Sequence, residues 1–273
     1  MIKVCKNCGE EYETNRSKRD YCSTSCSNSV IAKQREANKL DVPIKTVWSC
    51  GGGVQSTAIA ALIYTGRLPK PDYAIMTDCG FEKATTWEHV HNFLIPKMKE
   101  VGVDLQIIKT NEGLKESIFD KSNHLLLPGF AMKEGKKIKF NTHCNSGWKV
   151  KPAQRWLREQ GVQHCENWVG ISLDEASRAR GGGNKNWFKI RYPLIEQKMT
   201  REDCLWFMGG IGWPKPPRTS CYMCPQQNDA AWLKMRDEEP DDWAKAIEID
   251  EYIRTITPGT YLHRTFTPLK DMG

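Results

Sequence analysis

The sequence predicts an α/β fold: a doubly wound parallel sheet, with a small module before it and a helical part after it. Three observations carry this expectation. From residue 44 onward, short apolar runs of strand length alternate with segments whose apolar residues recur at helical spacing. A glycine-rich turn, Gly51-Gly52-Gly53, joins the first such strand to the first such helix. A chain of 273 residues can also bury a full α/β core and leave room for an extra module.

The elements follow in order. Residues 1 to about 40 stand apart, with four cysteines, many polar side chains and a basic helix candidate over 30–39. Leu40, Asp41, Val42 and Pro43 read as a linker, because proline disfavours helix in the residue before it. The main domain, 41–273, then reads as strand 44–49, helix 56–65, strand 73–77, helix 85–101 and strand 105–109. A loop-rich insertion over 112–141 follows, then helix 149–160 and strand 168–172. From about Met199 the pattern is mostly helical. In such sheets ligands bind beyond the carboxyl ends of the strands. The glycine loop, Asp78 and the segment 172–175 all lie just after strands and are expected to share one crevice.

The run Trp48-Ser49-Cys50-Gly51-Gly52-Gly53-Val54-Gln55-Ser56-Thr57 is the strongest chemical signal. Its glycines let the backbone approach a ligand closely, and the helix that follows points its positive end at the same place. That pairing binds phosphate. The loop is not G-x4-G-K-[ST], and Ser56 stands where a dinucleotide fingerprint needs its third glycine. Backbone N–H groups of Gly51, Gly52 and Gly53, with Gln55, Ser56, Thr57 and Ser49, are the expected phosphate or sulfate cradle.

The formal net charge of +7 favours an acidic partner such as a nucleotide or a nucleic acid. No apolar run reaches 18 residues, and Met1-Ile2-Lys3 leads straight into cysteines, so neither a membrane span nor a signal peptide is expected. The expected compartment is the cytoplasm, where 11 cysteines read as metal ligands and thiols rather than disulfides. Cys5-x2-Cys8-x13-Cys22-x3-Cys26 has the spacing of a tetrahedral zinc site, a staple that a 40-residue module with little apolar content needs. Its lysines and arginines make docking of DNA or RNA a candidate role beside a structural one.

Beyond the loop, five segments in order resemble the phosphoadenosine phosphosulfate (PAPS) reductase-like family of the adenine nucleotide α-hydrolase, or PP-loop, superfamily. The loop resembles S-G-G-x-D-S. Thr77-Asp78-Cys79-Gly80-Phe81-Glu82 resembles D-T-G-x-E, and His143-Cys144-Asn145-Ser146-Gly147-Trp148-Lys149-Val150-Lys151-Pro152 resembles C-T-x-x-W-K-x-x-P. Gly170-Ile171-Ser172-Leu173-Asp174-Glu175-Ala176-Ser177-Arg178 resembles G-I-x-x-D-E-x-x-R, and Tyr192-Pro193-Leu194-Ile195 and Ser220-Cys221-Tyr222-Met223-Cys224-Pro225 continue it. The match spans roughly 44 to 268. The loop's serine and aspartate positions hold Gly51 and Gln55, which removes a carboxylate that would orient Mg2+ or pyrophosphate. No cysteine follows Cys224, where sulfonucleotide reductases look to a C-terminal nucleophile.

The resemblance implies an enzyme that binds ATP or a PAPS-type adenylyl nucleotide and works at the α-phosphate or on sulfur. Sulfonucleotide reduction and a nucleic-acid-binding accessory role with a sensing or inactive nucleotide site stay open. Asp78 is expected to face ribose, adenine or a metal. Lys149 and Arg155 are expected to clamp an anion near Cys144, and Asp174 and Glu175 with Arg178 and Arg180 to act on substrate beside a loop of Gly181, Gly182 and Gly183. The resemblance also gathers Cys144, Cys204, Cys221 and Cys224 into a second cluster, holding [4Fe–4S], holding a second zinc, or acting as redox or persulfide-carrying thiols. Sulfur transfer to nucleic acid, with a sulfur-donor protein, is the reaction these features suggest. Cys50, Cys79 and Cys165 read as small apolar packing residues, and the six histidines show no ligand spacing.

Overall fold

The structure, a computed structural model, describes residues 1–39, 43–179 and 185–272, with the side chains of 34–39 left out. Leu40, Asp41 and Val42 of the expected linker, and Arg180 with Gly181, Gly182 and Gly183, lie outside the described residues. The chain divides into two compact units, Met1–Ile44 and Lys45–Gly273.

In the first unit, β1 (Ile2–Val4) and β2 (Glu11–Glu13) form an antiparallel hairpin, and α1 (Thr24–Lys39) follows. The helix starts six residues before the expected position, so that Cys26 falls in its first turn. Apolar burial is slight: Ile2 and Val4 are exposed, and Cys5 is the buried apolar residue among those described.

The second unit is a five-stranded sheet in the order β5-β4-β3-β8-β9. Its elements in chain order begin with β3 (Ile44–Ser49), α2 (Val54–Tyr64), β4 (Tyr73–Asp78) and α3 (Ala84–His89). A π-helical turn, Val90–Leu94, joins α3 to α4 (Ile95–Glu100) and makes one continuous rod of the expected helix, and β5 (Leu105–Lys109) follows. The insertion carries a hairpin of β6 (Phe130–Lys133) and β7 (Lys136–Lys139). A second π-helical turn, Asn145–Val150, leads into α5 (Lys151–Glu159), and then β8 (His164–Val169) and β9 (Phe188–Arg191) complete the sheet. The β8 strand begins four residues earlier than the sequence pattern indicates, because the polar residues His164, Glu166 and Asn167 interrupt its apolar alternation. The C-terminal part is helical: α6 (Pro193–Glu196), α7 (Arg201–Gly210), α8 (Asp229–Glu238) and α9 (Pro240–Ile256), with β10 (Thr260–Tyr261) pairing back onto β6.

The pairings β3–β4, β4–β5 and β8–β9 are parallel. Side chains alternate across the sheet as period-two strands must. Trp48, Ala74, Met76 and Trp168 face the core formed by α2, the α3–α4 rod and α7, while Val47, Ile75, Cys165 and Phe188 face α5. Helices on both faces make the sheet doubly wound. A third cluster joins α8 and α9 to Phe81, Trp148 and Tyr222. The buried Asp250 on α9 accepts the backbone N–H groups of Leu262 at 3.0 Å and Leu269 at 2.9 Å, tying the tail down. Among the described residues no helix is long and apolar enough to cross a membrane.

His89 closes α3 against α2, its Nε2 3.2 Å from the Thr57 hydroxyl, and burial holds its pKa below the ordinary 6.5. A base whose folded pKa is depressed stabilises the fold above its unfolded pKa and loses that contribution as pH falls through the folded value. All ten tryptophans lie at or beyond residue 48, so their fluorescence follows the second unit. The urea midpoint read this way is expected to fall as pH drops below 6.5 toward the onset of carboxylate titration near about 4.3. In His89→Gln that slope is expected to flatten.

Candidate active site

The glycine turn after β3 opens on a cleft of about 870 Å³ at the carboxyl ends of β3, β4 and β8. Gly52 has φ +69°, which turns the chain between strand and helix, and a Cβ there would meet the Thr86 and Val90 side chains at 3.0 and 3.1 Å. Gly53 caps α2 with extended backbone and no side-chain cap, leaving the helix's first N–H groups available to a ligand. Gly51 donates its N–H to the Ser56 hydroxyl at 2.9 Å, and Ser49 donates to Asn167 at 2.7 Å. Two close approaches hold this geometry. A Cβ on Gly53 would lie 2.5 Å from the Thr219 hydroxyl, and a Cβ on Gly170 would lie 2.9 Å from the backbone nitrogen of Ser56.

The cleft is cationic. Lys149, Arg178, Arg201 and Arg218 line it against the single carboxylate of Glu175, among the described residues. Gln55 is clamped at both ends of its amide: it donates to Glu175 at 2.9 Å and accepts from Arg201 at 2.9 Å. Glu175 also pairs with Arg178 at 2.7 Å. A carboxylate therefore stands one hydrogen bond from the loop, supplied by the segment after β8. Asp174 is exposed and does not line the cleft; it accepts the backbone N–H of Arg201 at 2.9 Å at the start of α7. A hydrogen bond from Ser172 and that N–H hold its pKa down.

Three other expected site residues are also placed differently from the crevice envisaged in the sequence. Asp78 accepts from Gly80 N–H at 2.7 Å within its own turn and does not line the cleft. Thr57 is buried, with its hydroxyl on His89, and Arg155 is exposed on α5. Cys50 lines the cleft, but burial pushes its thiol up to about 12, so it is protonated at neutral pH.

Of the four cysteines expected in the second group, Cys221 is gathered with Cys79 and Glu82, and Cys144, Cys204 and Cys224 fall outside that set. Cys204 is separated from the others: it points from α7 into the core with Met208 and Trp213, where burial raises its thiol to about 12. Apolar periodicity on α7 explains this position, since Cys204 and Met208 lie on one helix face. Cys79 takes a place in the group instead, with its sulfur 3.7 Å from that of Cys221. The Glu82 carboxylate lies 3.8 Å from Cys79 and 4.0 Å from Cys221, and it accepts from the Lys149 ammonium. Burial opposes the Lys149 charge; the Glu82 carboxylate and the Cys221 and Cys79 sulfurs outweigh it and raise its pKa. Burial raises the thiols of Cys144 and Cys224, which also interact with one another.

Three aromatic rings position this group. Phe81 packs on Trp148 at 5.3 Å and on Tyr222 at 6.0 Å between ring centroids, and each ring adjoins one of Glu82, Lys149 and Cys221 in sequence. Lys149 both lines the cleft and touches Glu82, so the thiols lie one side chain from the cleft. The sequence signal for Cys79 was its C-x2-E spacing to Glu82; its neighbours had suggested packing alone.

In the first unit, the sulfurs of Cys5, Cys8, Cys22 and Cys26 converge within 4.8 Å of one another. Cys8 and Cys22 stand 3.6 Å apart, and Cys22 and Cys26 3.5 Å. Four sulfurs so gathered form a group suited to a metal centre.

No family model and no curated protein matches the sequence. Among solved structures the chain is similar to the U34-tRNA thiolase NcsA from Methanococcus maripaludis with its [4Fe-4S] cluster, at 15% identity and a TM-score of 0.42, over 92% of this chain and 87% of that one. It is also similar to phosphoadenylyl-sulfate (PAPS) reductase from Candida auris in a phosphate complex, at 14% identity and a TM-score of 0.37, over 75% of this chain and 91% of that one. Likeness at these identities concerns the fold alone.

Gly170 meets the α2 backbone rather than a movable side chain. Gly170→Ala is therefore expected to displace the first turn of α2 and weaken binding of inorganic pyrophosphate at least tenfold by calorimetry. Gly209→Ala, where nothing stands within 4 Å of the added carbon, is expected to bind it unchanged.

Proposed function

We propose that the second unit is an enzyme of sulfur chemistry that uses ATP or a related adenylyl nucleotide. One observation supports this above the others: a glycine loop, a bare helix N-terminus and four cations share a cleft, and one of those cations, Lys149, contacts the thiol and carboxylate group. Phosphate in the cradle is the chemistry that a helix N-terminus favours. Arg178, Arg201 and Arg218 would neutralise the remaining phosphate charge, and Glu175, clamped by Gln55, would be the carboxylate that holds Mg2+.

In the reading favoured here, an acceptor oxygen attacks the α-phosphorus and pyrophosphate leaves. The adenylated oxygen is then a good leaving group, and a sulfur nucleophile displaces AMP. Positioning and electrostatic stabilisation are the protein's part in the first step. Cys144, Cys221 and Cys224 are the thiols on the sulfur side, as ligands of [4Fe–4S] or zinc or as carriers. The acceptor in this reading is a nucleic acid, with a separate protein as sulfur donor. The cytoplasm is the proposed compartment.

The test is ATP turnover with pyrophosphate detection, using sulfide as donor and bulk tRNA or DNA as acceptor. Pyrophosphate release that depends on the acceptor supports the proposal. Glu175→Gln is expected to lower kcat at least 100-fold with little change in ATP affinity, since it keeps the bond to Gln55 and loses the charge. Sulfite release from a sulfonucleotide, without pyrophosphate, would replace the proposal with the reductase reading.

The first unit is proposed to hold zinc. Zn–S bonds of about 2.3 Å set tetrahedral sulfurs about 3.8 Å apart, close to the spacings between Cys8, Cys22 and Cys26. Chelation is expected to remove the circular-dichroism signal of α1 while tryptophan fluorescence stays unchanged, because all ten tryptophans lie in the second unit. Loss of neither signal at full metal removal would contradict the assignment.

A further inference from the structure

We infer that Cys79, Glu82 and Cys221 form a mononuclear site for one soft divalent cation, zinc or ferrous iron. The donor atoms lie within 4.8 Å of one another before any ion is placed. The separation of 3.7 Å between the sulfurs of Cys79 and Cys221 matches the edge of a tetrahedron around one ion, about 3.8 Å for bonds of about 2.3 Å. Thiolates that bind different irons of a cubane are held wider apart by the cluster itself, so these two sulfurs suit a shared ion. Two thiolates and a carboxylate also select zinc or iron over calcium or magnesium, which prefer oxygen throughout.

Charge and rigidity point the same way. Cys79 is fully buried and Glu82 nearly so, and three potential anions there face one ammonium, that of Lys149. Two thiolates and Glu82 carry three negative charges, Lys149 carries one positive charge, and a divalent ion brings the sum to zero. Buried charges need such compensation. The donors sit on two short segments locked together by backbone: Glu82 and Cys221 are bridge partners, and Tyr222 N–H donates to Phe81 carbonyl at 2.9 Å. Binding displaces the two thiol protons to solvent and changes no oxidation state. The inference stands on donor geometry alone, so it and the nucleotide reading can fail separately.

The experiment is metal and acid-labile sulfide analysis of the full-length protein purified without oxygen, followed by Co2+ titration of the stripped protein monitored by thiolate-to-cobalt absorption. The expected result is two ions per chain, one at the N-terminal cysteines and one here. Cys79→Ala and the nearly isosteric Glu82→Gln should each lose the second ion or bind it at least tenfold more weakly, with tryptophan fluorescence retained. Cys204→Ala should keep both. A single ion in the native chain, or a second ion or iron–sulfur cluster retained unchanged in Glu82→Gln and in folded Cys79→Ala, would overturn the assignment.

Discussion

The architecture depends on one close approach of backbone to backbone, where Gly170 at the end of β8 meets the first turn of α2. There is no room for a Cβ between them. Nine of the eleven residues of α2 are buried, from Val54 to Ile63 with Gln55 excepted, so the helix is fixed by core packing around most of its circumference. A helix held in this way cannot rotate its N-terminus away from the sheet edge. Its unpaired N–H groups then define the floor of the cleft, and every cation around that floor has a fixed point toward which to converge.

A second constraint links the cleft to the thiols. The rings of Phe81, Trp148 and Tyr222 pack together, and their sequence neighbours Glu82, Lys149 and Cys221 are delivered to one place. Lys83 forms a largely buried ion pair with Glu239 at 2.7 Å, and Asp242 of α9 accepts the Ala84 N–H at 2.9 Å, so the C-terminal helices brace the segment that carries Cys79. Helices α8 and α9 thus act on the site through the loop after β4, while Arg201 of α7 and Arg218 line the cleft itself. Coupling of this kind makes the thiol group as rigid as the core around it.

Much of the fold was legible in the sequence because its signals are local. Strand and helix alternation gave the sheet and most of its elements, and the glycines marked the turn into α2. The start of β8 was obscured because His164, Glu166 and Asn167 break its apolar pattern, and the insertion hid its hairpin because β6 and β7 are short and lysine-rich. The site was legible in part. The glycine loop, Lys149, Arg178, Cys144 and the C-x2-C pair could be named from motifs. Arg201, Arg218, Thr219 and the Cys79–Cys221 contact could not, because Gln55 and Arg201 stand 146 positions apart, Cys79 and Cys221 stand 142 apart, and such residues meet only through topology. Cys204 misled for the same reason: its chemistry suits a metal, while its position on α7 commits it to the core.

The α2 N-terminus and its glycine loop are proposed to hold the phosphates of an adenine nucleotide. A crystal structure of the protein with a non-hydrolysable ATP analogue tests it most directly. Phosphate oxygens are expected within hydrogen-bond reach of the backbone N–H groups at Gly53 through Ser56, with Arg178, Arg201 or Arg218 on their outer side. A nucleotide bound elsewhere, such as the cleft of about 950 Å³ beside Trp87 and Tyr222, with the glycine loop untouched, would contradict it.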